Sequence, residues 1–73
     1  MKRMEKVVGD YRFVRDEDDN VTIYMGGLAV IELFPQVGGE GKVYIRSRVG
    51  KTTLKGAIVT IEALRTAVEM LPQ

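Results

Sequence analysis

Thr60-Ile61-Glu62-Ala63-Leu64-Arg65-Thr66-Ala67-Val68-Glu69-Met70-Leu71-Pro72 is the stretch where the apolar period changes from two to about 3.6. Ile61, Leu64, Val68 and Leu71 form one apolar stripe, which Ala63, Ala67 and Met70 extend. Thr60 is the expected N-cap, Glu62 suits the positive end of the helix, and Pro72 stops it. Glu62, Arg65, Thr66 and Glu69 cover only about 100° of the circumference. One sheet face cannot cover the rest. Either the loop Pro35 to Gly41 lies over it, or the same helix of a second copy does, through Ala63, Leu64, Ala67, Val68, Met70 and Leu71. The second arrangement makes the protein a homodimer.

Everything before this helix reads as strands and turns. Val7 to Arg15 is rich in β-branched and aromatic residues, with Tyr11 and Phe13 on one face. Asp16 to Asn20 is a polar turn, and Val21 to Met25 is a second strand. Gly26-Gly27 marks a hairpin turn or a bulge. Leu28 to Phe34 is apolar except for Glu32, which suits a strand covered on much of both faces. Glu32 is expected at the surface or paired with a basic neighbour, because a buried unpaired carboxylate is costly. Pro35 ends that strand, since it has no N–H for a ladder, and a loop rich in glycine follows to Gly41. Lys42 to Val49 and Leu54 to Val59 complete the strands. The order implies an α+β fold: an antiparallel meander of four to five strands, followed by one C-terminal helix packed on the sheet.

The chain of 73 residues is one small domain, residues 1–73, in which residues 1–6 are a basic segment that need not be ordered. A domain of this size buries roughly 60% of the surface of its unfolded chain, so its core is small. It has no Cys, hence no disulfide and no thiolate metal site, and no His, the usual general base and metal ligand near neutral pH. These absences argue against an enzyme and against a cofactor or metal. No apolar run approaches the roughly 20 residues that span a bilayer, and the start lacks the apolar core of a signal peptide. A soluble cytoplasmic protein without a membrane partner is expected.

The net charge is only +1, but it is unevenly placed. Residues 16 to 19 are all acidic, whereas residues 42 to 55 hold five basic side chains and no acidic one. On a strand, Lys42, Tyr44, Arg46 and Arg48 share one face, and Val43, Ile45 and Val49 share the other. A basic face with a ring in it suits a phosphate backbone and a stacked base. Lys42, Tyr44, Arg46, Arg48, Lys51 and Lys55 are therefore the candidate nucleic-acid contacts. Arg12, Thr22 and Tyr24 continue this surface if the strand registers align. The same residues also make an ordinary solvated edge, where Lys discourages pairing with other chains.

Two other motifs fail on spacing. Gly50-Lys51-Thr52-Thr53 lacks the earlier glycine of a phosphate-binding loop, since Ile45 stands there. Asp16-Glu17-Asp18-Asp19-Asn20 begins like a calcium loop, but Val21 replaces the glycine and Gly27 the closing glutamate.

Val43-Tyr44-Ile45-Arg46, a turn with glycine, and Leu54-Lys55-Gly56-Ala57-Ile58-Val59-Thr60 running into an apolar helix resemble the positive-cofactor-four type of single-stranded DNA-binding module. The resemblance covers roughly residues 42 to 71. It implies a curved antiparallel sheet with one helix, a dimer formed partly through helices, and DNA contact at Arg46, Arg48 and Lys55, with Tyr44 beside them. It departs from the family at Glu62-Ala63-Leu64, where an aromatic residue is usual, and at Ala57. Two functional expectations result. One is a homodimer gripping single-stranded DNA or RNA. The other is a protein-interaction module, such as a small inhibitory protein of a mobile element, contacting its partner through Asp16 to Asp19 or the apolar helix face.

Overall fold

The computed structural model describes residues 3–48 and 56–72. Five strands form one antiparallel meander: β1 (Met4–Val8), β2 (Tyr11–Arg15), β3 (Val21–Met25), β4 (Leu28–Phe34) and β5 (Tyr44–Ser47), in that spatial order. A single helical turn, α1 (Pro35–Gly38), precedes β5, and α2 (Ile61–Glu69) packs on one face of the sheet. The expected architecture is therefore present, with a different set of five strands. Among the described residues no helix is long and apolar enough to cross a membrane.

The run Val7 to Arg15 is not one strand. Gly9, with φ of 59°, and Asp10 form a two-residue turn that pairs Val8 with Tyr11. Only glycine enters that φ region cheaply, so Gly-Asp closes a hairpin inside a run that otherwise favours strand. Met4–Lys6 consequently belong to β1, whose five residues are all exposed. Gly26 and Gly27, with φ of 60° and 83°, make the next tight turn and pair Met25 with Leu28.

The core lies on the α2 side. Phe13, Val21, Ile23, Val30, Ile31 and Leu33 meet Ala63, Ala67 and Met70 there. Two bonds tie the helix down: Arg15 Nη1 donates to the Met70 carbonyl at 2.9 Å, and the Thr60 N–H donates to the Tyr11 hydroxyl at 3.3 Å. Thr60 is the N-cap, its Oγ1 accepting from the Ala63 N–H at 3.0 Å. The inward row is the small one, however. Ala63 and Ala67 let the helix sit close to the sheet, while Ile61, Leu64 and Val68 remain 76%, 37% and 44% exposed.

Three further expectations are corrected. β4 is not covered on both faces. A register shift opposite Ile23 and Tyr24 makes Val30 a bulge residue, so consecutive Val30 and Ile31 both enter the same core. β5 is four residues long, because Gly39 and Gly41 hold positive φ and the Lys42 N–H bonds to the Gly39 carbonyl rather than to a ladder. Residues 56–59 are not a strand: Ala57 and Val59 pack on the core and Ile58 is exposed, an alternation without a partner strand among the described residues. Val49, where the expected strand ends, the segment Gly50 to Thr53, Leu54 and Lys55 lie outside the described residues.

Candidate nucleic-acid interface

The face of the sheet opposite α2 has no layer over it among the described residues, and its side chains follow from the ladder. Successive residues of a strand alternate, and directly paired residues share a face. Arg12 pairs with Tyr24, Val14 with Thr22, Thr22 with Glu32, Glu32 with Arg46, and Phe34 with Tyr44. Arg12, Thr22 and Tyr24 thus do share a face with Tyr44 and Arg46. Phe34 and Glu32 lie between them, and Glu5 joins from β1 opposite Val14.

Three rings and several guanidiniums interleave on this surface. The Arg12 guanidinium carbon lies 4.4 Å from the centre of the Tyr24 ring, which holds the cation against an aromatic face. The Phe34 and Tyr44 rings are 6.0 Å apart and tilted, and Arg46 lies 5.9 Å from the Phe34 ring. Tyr44 keeps 49% of its surface open. Val14 is buried on this face and stands outside the core under α2.

Each carboxylate of the face is shared by two guanidiniums. Glu5 Oε1 meets Arg12 at 3.0 Å and Arg3 at 3.4 Å. Glu32 Oε1 meets Arg46 at 3.0 Å and the Arg48 Nε at 3.6 Å. Glu32 is thus paired with basic neighbours. Four guanidiniums against two carboxylates leave positive charge in excess. The arginine side chains are each more than two-fifths exposed, so these pairs contribute only about 0–1 kcal/mol each and an incoming anion can compete for them.

Of the six residues expected to contact nucleic acid, Tyr44, Arg46 and Arg48 come together on the open face. Lys42 is exposed but sits in the turn before β5. Lys51 and Lys55 lie outside the described residues. Sequence reasoning missed Phe34, Glu5 and the contribution of Arg3. Phe34 was detectable from its spacing of two from Glu32, once Glu32 is placed on the surface.

The proposed dimer residues divide. Ala63, Ala67 and Met70 are buried against their own sheet and are not available to a partner. Leu64 and Val68 are on the outside with Ile61, and half-buried Leu71 borders an open groove of about 530 Å³ with Asp19, Pro35, Val43, Val68 and Pro72. The acidic turn is a hairpin link: Asp16 Oδ1 accepts from the Asp18 and Asn20 N–H groups at 2.9 and 3.0 Å. No protein-family model matches this chain, and neither curated proteins nor solved structures give a match.

Proposed function

We propose that the open face of the sheet binds single-stranded DNA or RNA, with arginines on the phosphates and bases stacked on Tyr44 and Phe34. One observation carries this reading: the register places three rings and an excess of guanidiniums on the single face that α2 leaves uncovered. Arginine forks suit phosphate oxygens, and the ring spacing suits splayed bases. A duplex hides its base faces, so an aromatic sheet gains stacking energy only from a single strand, on the order of 1–3 kcal/mol per base. A homodimer through the exposed row Ile61, Leu64 and Val68 would double this surface.

The test is fluorescence anisotropy with a labelled 20-nucleotide single strand at low and near-physiological salt, on wild type and on the Arg46→Ala/Arg48→Ala protein. Affinity should fall with salt at a log–log slope of about −0.7 per phosphate contacted. The double variant should lose binding by tenfold or more while keeping its far-UV circular dichroism. Unchanged affinity would place binding elsewhere, and no binding by wild type at low salt would end this reading.

The second reading, a protein-interaction module, has its own support. The groove beside Val68 and Leu71 is largely apolar, and Asp19, on its wall, holds a buried Oδ1 without a hydrogen-bond partner. A peptide with apolar residues suits that lining, which Asp19 and Lys42 border. Absence of nucleic-acid binding would favour it.

A further inference from the structure

Glu32 stands at the centre of the proposed binding face, between Thr22 and Arg46 across the ladder. A surface made for phosphate alone would be better served by an uncharged residue there, because a carboxylate repels the ligand and occupies two guanidiniums. Its position explains its use. Phe34 and Tyr44 are the ring pair, and Glu32 and Arg46 are the pair two residues further along the same two strands. Residues two apart on a strand are separated by about 6.7 Å. That distance is close to the reach from the centre of a stacked base to its edge plus one hydrogen bond. A base stacked on the rings thus turns its edge over the carboxylate and the guanidinium.

Resting on the nucleic-acid reading, we infer that the Glu32–Arg46 pair gives the face a preference for guanine. Guanine offers two neighbouring donors on its pairing edge, N1–H and the N2 amino group, followed by the O6 acceptor. A carboxylate accepts from both donors, and an adjacent guanidinium donates to O6. The other bases fit less well. Adenine places its N1 acceptor beside its amino group, cytosine has one donor group followed by two acceptors, and thymine or uracil has one donor between two carbonyls. Each brings an acceptor against the carboxylate. Glu32 is also held for this task. Arg46 approaches its Oε1 with Nε at 3.2 Å and Nη2 at 3.0 Å, and the contact with Arg48 ends on the same oxygen. All three contacts end on Oε1, so the two lone-pair sites of Oε2 are the ones that accept from the N1–H and N2 donors of the base. The Glu32 side chain is only 22% exposed, which limits the ways it can turn.

The experiment uses labelled thymidine 12-mers whose two central positions carry guanine, hypoxanthine, adenine or thymine, measured by anisotropy at low salt. Hypoxanthine differs from guanine only in lacking the N2 amino group. Wild type should bind the guanine strand about tenfold or more tightly than the hypoxanthine and adenine strands. In the Glu32→Gln protein the guanine and hypoxanthine strands should bind alike, since the Gln amide presents a donor where guanine needs an acceptor. Binding of the all-thymidine strand should hold or strengthen, because a negative charge is gone. The hypoxanthine comparison is made on wild type, so it does not depend on the variant folding. Equal affinity for all four strands would overturn the guanine preference and leave the nucleic-acid reading standing. Binding of none of them would overturn both.

Discussion

Gly38→Ala tests whether the approach to β5 is as tight as the structure has it. A Cβ built on Gly38 meets the Val43 Cα and N at 2.6 Å and its carbonyl carbon at 2.8 Å. All three are backbone atoms, so no side chain can swing aside. Gly38 ends the single helical turn that Pro35 begins, and Val43 leads directly into Tyr44 at the start of β5. Forcing a methyl onto these backbone atoms should cost about 2–3 kcal/mol, the upper part of what overpacking costs. The variant recovers about 1 kcal/mol, because Ala is the better helix residue. The net expectation is a loss of about 1–2 kcal/mol. A domain of this length has a total stability of roughly 4–11 kcal/mol, so the loss is a sizeable share. It should lower the melting temperature by about 5–15 °C. Urea unfolding followed by far-UV circular dichroism measures it, with the midpoint moving down and the slope unchanged. A variant as stable as wild type would refute the reasoning, for it would mean that the Val43 backbone yields freely and that this turn does not position β5.

Two further outcomes concern α2. Thr60→Ala removes the acceptor for the Ala63 N–H and should cost about 1 kcal/mol in the same urea titration. Ala67→Leu puts three more carbons at a position with no exposed surface and should cost about 1–3 kcal/mol. If Ala67→Leu is instead neutral by thermal unfolding, the close seating of α2 on the sheet is wrong.

Local chemistry made much of the fold legible, and the misses have definite causes. The tight Gly26-Gly27 turn, the end of β4 at Pro35 and the Thr60 cap each follow from a single residue or pair whose backbone preference is strong. Gly9-Asp10 has the same chemistry, but it is embedded in β-branched residues that read as one continuous strand. The orientation of α2 is a different case. When about 260° of the helix circumference is apolar, periodicity cannot say which part of that arc faces the sheet. Packing distance decides, and the alanine row wins because it permits the closest approach. Residues 56–59 alternate as a strand would, because one side of the segment lies on the core, yet nothing in its own sequence could reveal that it has no partner strand among the described residues.

The candidate site depends on one residue more than on any of its own members. Alternation alone groups Tyr44, Arg46 and Arg48, but the rest of the face requires the register of β4. With the turn pairing Met25 to Leu28 and no bulge, Val21 would stand opposite Glu32. Glu32 and Phe34 would then point under α2, and Leu33 would point to the open side, because a shift of one residue exchanges the two faces. The bulge at Val30 cancels that shift: Val21 pairs with Leu33, and Glu32 and Phe34 emerge beside Tyr24, Tyr44 and Arg46. The physical selection is strong, since the alternative buries a carboxylate and exposes a leucine. Its trace in the sequence is the unbroken apolar run Leu28-Ala29-Val30-Ile31 before Glu32, in which no alternation marks the step. Such a run suits a strand covered on much of both faces. Here it instead contains the step that brings the carboxylate and the aromatic ring onto the open, arginine-bearing face, and the proposed interface exists only because of that step.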